Sequence, residues 1–286
     1  MHFAVMAAEA LEWLAIRPEG TYLDATAGLG GHTAEIARRV TSGKVIANDR
    51  DAQSLEMARG NTAEWAERIC YYQGAFSQLA EALPACGAEK ADGVLADLGV
   101  SRYQLTEPAR GFSFMAEGPL DMRMDQSTGA TAADLVNQYA EKALADLIYQ
   151  LGEERRARKI ARAIVRARPI RSTLHLAGVV ERAVPRTNRL HPATRTFMAL
   201  RLAVNDEQGE LDQLLRIAPE LLASGGRLVV ISFMSLEDRK VKHSFRALEQ
   251  EGRAQVLTKH PLTPTAAETE LNPASRSAKL RALEMR

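Results

Sequence analysis

Short apolar runs that alternate with helical patterns through the first hundred residues constrain this chain's fold more than any other feature. Residues 21–26 (TYLDAT), 44–48 (KVIAN), 69–73 (ICYYQ) and 92–96 (DGVLA) read as strands, and helices are predicted between them at 31–39, 52–59 and 77–83. Alternation at this spacing builds βαβ units and a mostly parallel sheet, because parallel neighbours can be joined only by a crossover. After Asp97 the pattern breaks. Residues 98–130 are loop-like and rich in Gly, Pro and Met, and 131–203 read as helix with no strand candidate. A helix near 207–223, a buried strand at 227–232 (RLVVIS), a helix at 236–249 and short strands near 254–258 and 278–285 follow. The expected fold class is α/β, one sheet interrupted by an all-helical insertion, with segments 1–105, 106–203 and 204–286.

Charge is balanced overall, 37 Lys and Arg against 36 Asp and Glu, which excludes a globally basic nucleic-acid coat. Its distribution is uneven. Residues 1–105 carry a net of −5 and residues 106–286 a net of +6. Residues 151–201 hold 13 basic side chains and only three acids. Within them, 155–171 (RRARKIARAIVRARPIR) has eight basic residues and no acid. Ala157, Ile160, Ala161 and Ile164 recur there at helical spacing and should face inward, leaving Arg155, Arg158, Lys159, Arg162 and Arg166 outward. Such a face suits a polyanion, since arginine forks match phosphate oxygens, so this helix is the candidate nucleic-acid contact. A merely solvated helix face is the plainer alternative. Cys70 and Cys86 are the two cysteines, with no CxxC and no Cys/His cluster at ligand spacing. Neither a disulfide framework nor a structural zinc is expected, and a reducing, cytoplasmic setting is the default. No apolar run approaches a membrane span, and residues 3–8 lack a basic leader.

The segment Asp24-Ala25-Thr26-Ala27-Gly28-Leu29-Gly30-Gly31-His32 follows the first strand and opens a helix. Glycines let the backbone turn tightly and approach a ligand there, beside exposed helix amides. Asp49 closes the second strand, where a ribose-binding carboxylate stands in nucleoside sites. A dinucleotide fingerprint would want Gly where Thr33 stands, and Asp24 would repel a pyrophosphate but could orient an ammonium group through water. Both details favour S-adenosylmethionine over NAD, and hence disfavour a dehydrogenase. Phe76, after the third strand, either flanks an adenine or packs in the core. His32 reads as a cap or packing residue.

Asp97 closes the fourth strand, and reacting groups in open α/β sheets gather at the carboxyl ends of strands. A methyl acceptor that is an exocyclic amine has its lone pair delocalised into the ring. A hydrogen-bond acceptor on its protons would make it nucleophilic and take up developing charge. Asp97 is the candidate acceptor with Ser101 as helper; the alternative is that Asp97 anchors the cofactor. Tyr103 either stacks on a base or packs on the insertion.

Four further segments are poorly explained by propensity: 110–124 (RGFSFMAEGPLDMRM), 191–197 (HPATRTF), 232–239 (SFMSLEDR) and 272–281 (NPASRSAKLR). With the glycine turn, and over almost the whole chain, they closely resemble the bacterial small-subunit ribosomal RNA cytosine-N4 methyltransferases, the RsmH (MraW) family. The resemblance implies a Rossmann-like methyltransferase with a helical substrate domain, S-adenosylmethionine as donor, and a decoding-site cytidine of 16S ribosomal RNA as acceptor. By motif it implies cofactor contacts at Gly30, Gly31, His32, Asp49, Phe76, Asp97 and Gln104; a catalytic role for Asp97 comes from the residue-level reading alone. The chain departs from the family pattern at Arg102-Tyr103 (usually Ser-Pro), Met198 (commonly Gln), Met234 (usually His) and Ala274 (usually Arg). These departures keep open a cofactor- and RNA-binding assembly factor without catalysis.

Overall fold

A computed structural model of the chain describes residues 4–185 and 191–286. Residues 1–3, including Phe3 of the 3–8 stretch, lie outside the described residues, as do Arg186 and Arg189 of the basic segment. In chain order the elements are α1 (Ala7–Leu14), β1 (Thr21–Asp24), α2 (Gly31–Arg39), β2 (Lys44–Asp49), α3 (Ala52–Asn61), β3 (Ile69–Gln73), α4 (Leu79–Ala85) and β4 (Ala91–Asp97). Next come α5 (Arg102–Thr106), α6 (Ala132–Gln138), α7 (Glu141–Gly152), α8 (Ala157–Arg166), α9 (Thr173–Ala183) and α10 (Thr194–Val204). The chain ends with α11 (Glu207–Leu221), β5 (Leu222–Ser232), α12 (Ser235–Gln250), β6 (Ala254–Val256), α13 (Ala266–Leu271) and β7 (Lys279–Met285).

Among the described residues the strands form one seven-stranded sheet in the order β3-β2-β1-β4-β5-β7-β6, a Rossmann-like arrangement. The pairs from β3 through β5 are parallel, and β7 runs antiparallel between β5 and β6. Both faces of the sheet are covered, which explains why the inner strands read as unbroken apolar runs. Successive side chains point to opposite faces. Thus Val94, Ala96, Leu228 and Val230 join one core with α4, α11 and α12, through Leu79, Leu83, Leu214 and Phe245. Leu95, Val229 and Ile231 join the other, with Leu14 of α1 and Ile36 of α2.

The chain divides into two compact units, 1–99 with 208–286, and 100–207. The helical unit therefore begins at Val100 rather than 106 and ends at Glu207 rather than 203. Its own core gathers Leu144 and Ile148 of α7, Leu176 and Val180 of α9, and Phe197 and Leu200 of α10 around Ala157, Ile160, Ala161 and Ile164 of α8. Two expectations need correction. The stretch taken as loop after Asp97 contains α5 and a single helical turn at Pro108–Arg110, both too short to show a helical period. Cys70 and Cys86 are bonded to each other, because β3 and the end of α4 bring their Cα atoms to 5.8 Å, within disulfide range.

Much of the motif residue set is structural. Gly111 has φ 73°, and a Cβ there would meet the Pro119 carbonyl at 2.1 Å, so only glycine fits. The guanidinium of buried Arg110 donates to the carbonyls of Arg123 and Met124. Asn205 accepts from the Met124 amide and donates to the Met122 carbonyl, closing the same loop onto α10. In the other unit, Glu237 Oε2 accepts from the amides of Phe233 and Met234 at the start of α12. Asp238 pairs with Arg281 and Lys279 of β7, which is why SLEDR and AKLR belong together.

Candidate active site

β1 to β4 are parallel, so their carboxyl ends lie at one edge of the sheet. The chain winds outward from β1 through β2 to β3 and then crosses to β4 on the other side of β1. In open α/β sheets that point of reversal, beyond the ends of β1 and β4 here, is the usual ligand position. Gly30, Gly31, His32, Asp49, Phe76 and Asp97 all belong to this unit, and Ser101 and Gln104 belong to the helical unit.

The glycine turn is tied down from three strands. Gly28 has φ 52°, and its amide donates to Asp49 Oδ2 at 2.7 Å. The Ala27 amide donates to the Asn48 carbonyl, and the Ala25 amide to that of Leu95. Gly30, with φ 87°, turns the chain into α2, and a Cβ there would stand 2.9 Å from the Thr62 methyl. Asp24 is fully buried: Oδ2 accepts from the Thr33 hydroxyl at 2.6 Å and Oδ1 from the Thr26 amide. It braces the turn, and Thr33, the residue that breaks the dinucleotide pattern, is its partner.

Asp49 accepts from the Gly28 amide on one oxygen and the Asp51 amide on the other. Burial pushes its carboxyl up to about 6, against the pull of those two amides. Phe76 is half-buried against the core on the α4 side, so packing is part of its role. The turn carrying it is held by Glu210, whose carboxylate accepts from the Ser77 amide and hydroxyl.

Asp97 is the most unusual group here. Its amide donates to the Thr26 hydroxyl, which joins the ends of β1 and β4. Its Oδ2 lies 3.8 Å from His32 Nδ1, and its buried Oδ1 has no hydrogen-bond partner among the described residues. Burial pushes the carboxyl up to about 7; His32 opposes the shift, while Asp24, Glu237 and Glu268 add to it. His32 is itself buried, with Nε2 donating to the Val5 carbonyl at 3.0 Å. An edge this rich in carboxylates disfavours a pyrophosphate and suits a ligand that brings positive charge.

Ser101 and Gln104 form a reciprocal cap at the start of α5. The Ser101 amide donates to Gln104 Oε1 at 2.9 Å, and the Gln104 amide to the Ser101 hydroxyl at 3.2 Å. The spacing Ser-x-x-Gln is itself the signature of this cap, a signal that the reading of Ser101 as a helper of catalysis passed over. The approach of His32 to Asp97 and the brace from Glu210 have no local sequence signature, because they join distant elements.

The MraW methylase family matches residues 1–286. The chain belongs to that family. The ribosomal RNA small subunit methyltransferase H of Solibacter usitatus is 72% identical over 286 residues, covering 100% of both chains. Its namesake in Acidobacterium capsulatum is 52% identical, covering 99% of this chain and 98% of its own. As an MraW-family chain, the protein carries the glycine turn and the strand-end carboxylates on the Rossmann-like sheet of a methylase. No helix among its described residues is long and apolar enough to cross a membrane. A cleft of about 660 Å³ within the helical unit is lined by Tyr149, Arg155, Arg156, His191 and Arg195, together with Glu153 and Glu154. It lies wholly in that unit and contains none of the strand-end residues.

Proposed function

We propose that this methyltransferase moves a methyl group from S-adenosylmethionine to the N4 amine of a decoding-site cytidine in 16S ribosomal RNA, in the cytoplasm. The observation that carries the reading is the buried, unpartnered oxygen of Asp97 at the reversal of strand order, in a chain matched by the family over its full length. The cofactor fits because the strand-end carboxylates form a site for a cation. Bound there, S-adenosylmethionine supplies a methyl group on a positively charged sulfur.

Asp49 then holds the ribose hydroxyls, the turn through Gly30, Gly31 and His32 contacts the cofactor beside them, and Phe76 flanks the adenine. Asp97 accepts a hydrogen bond from the acceptor amine and takes its proton as the nitrogen becomes positively charged. Gln104 contacts the cofactor, as the family motif implies, and Ser101 positions Gln104 through the cap. Exposed Arg158, Lys159 and Arg166 of α8, and Arg155 in the turn before it, have no ion pair among the described residues, while Arg162 meets Glu141 of α7 at 3.4 Å; the helix is thus shorter than the expected 155–171. These free cations hold the RNA backbone.

The test uses small subunits from a strain lacking the modification, with digested nucleosides read by mass spectrometry. N4-methylcytidine at one decoding-site position is the expected product. Asp97→Ala should slow transfer by at least about 10²-fold while RNA affinity stays near normal. A weakened cofactor affinity with an unchanged rate at saturation would make Asp97 an anchor instead. Absence of methyl on RNA even in a single turnover would leave the assembly-factor reading.

A further inference from the structure

Asp97 must return to its ionised form after every turnover, and among the described residues its basic neighbour is His32. His32 lies at the start of α2 with Nε2 donating to the Val5 carbonyl, so its ring proton is on Nε2 and Nδ1 presents a lone pair. Nδ1 lies 3.8 Å from Asp97 Oδ2, within ion-pair range and beyond hydrogen-bond length, so a proton passes between them when the two side chains draw closer. The other charged groups acting on Asp97 are Asp24 of β1, Glu237 of α12 and Glu268 of α13, all acids. Glu268 Oε1 and the His32 ring are both tied to the N-terminal segment, through the Met6 amide and the Val5 carbonyl. Asp97 Oδ1, the oxygen turned away from these bonds, is the one left without a partner.

We infer that His32 is the proton partner of Asp97, taking from it the proton that the substrate amine loses. The inference rests on the proposed methyl transfer. In that step the N4–C bond forms as the S–C bond breaks, and the sulfur leaves with the electron pair. A proton passes from the now cationic nitrogen to Asp97, then from Asp97 to His32 Nδ1. The resulting imidazolium is held by the Val5 carbonyl on one side and the regenerated Asp97 carboxylate on the other. His32 is a positioning residue that acts through Asp97.

Two measurements test the pair. In the protein without cofactor, the carboxyl ¹³C signal of Asp97 should titrate near 7. The midpoint should move to higher pH in His32→Gln and His32→Asn, because both variants remove the imidazolium, the group that in its protonated form favours the charged carboxylate of Asp97. In its neutral form, unaltered His32 should show the ¹⁵N signals of the Nε2–H tautomer. An unmoved midpoint, or the Nδ1–H tautomer, overturns the inference without any reference to catalysis. In the methylation assay, His32→Gln keeps a donor toward Val5. Its saturated rate, measured at cofactor concentrations that saturate each variant, should fall about tenfold at pH 7 and recover by about pH 9. An equal loss at every pH would show a structural role only. If the unaltered enzyme gives no N4-methylcytidine while the titration behaves as expected, the substrate assignment fails and the pair stands.

Discussion

Asp49 and Asp97 keep their protons to about 6 and about 7, whereas the unfolded chain releases them near 3.8. Between those values the folded state binds more protons than the unfolded one, so these two groups make stability fall as pH rises. Thermal unfolding of the protein without cofactor should therefore show a falling Tm from about pH 5 to 8. On the proposed binding mode S-adenosylmethionine meets the ionised carboxylates, so its affinity should rise over the same window, with protons released on binding. S-adenosylhomocysteine, which lacks the charge on sulfur, should show a flatter profile. Calorimetry in buffers of different ionisation enthalpy measures both, and equal profiles for the two ligands would remove the charge argument. The residues of this site were legible in part. Asp49 and Asp97 announce themselves as acids at strand ends after a glycine turn. Asp24, in the same kind of position, is sealed by Thr33, a pairing nine residues away that no local pattern distinguishes from an open acid.

The helix read from basic spacing, α8, turns Ala157, Ile160, Ala161 and Ile164 inward as 3.6-residue periodicity requires. Replacing Arg158, Lys159 or Arg166 by Ala should weaken RNA binding alike for all sequences and lower the salt slope by about 1 per residue. Unchanged slopes would make the face merely solvated. Elements shorter than two turns, such as α5, escaped the sequence reading because period has no meaning at that length. The cysteine pair escaped it for another reason: β3 and α4 are each recognisable, but the packing that apposes their ends is tertiary. The bond closes the segment from Cys70 to Cys86, which contains Phe76 and Ser77. A loop of this length confers about 3 kcal/mol in the chain-entropy account. Denaturant unfolding with and without a dithiol should differ by that order in the natural chain and not at all in Cys70→Ser. Cofactor affinity should weaken on reduction if Phe76 flanks the adenine.

At the scale of the molecule, strand order could be read only as far as the alternation reached. Four strands joined by short crossovers declare a parallel sheet, and continuous apolar runs such as residues 227–232 declare that both its faces are covered. That β7 enters between β5 and β6 is a different matter. Its alternation fits an edge or an interior position equally, and the choice is made by pairing with Leu228 to Ile231 and by the Asp238–Arg281 contact. This placement has a temporal consequence. Leu280, Ala282 and Leu283 fill an interior slot of the sheet, yet their strand follows all six of its partners in the order of synthesis. A nascent chain can assemble β1 to β4 and the helical unit while still tethered, but β5 lacks its neighbour until residues 279–285 have emerged. Premature termination between β5 and β7 would then leave β5 with an open hydrogen-bonding edge, a substrate for quality-control proteases rather than a slow enzyme.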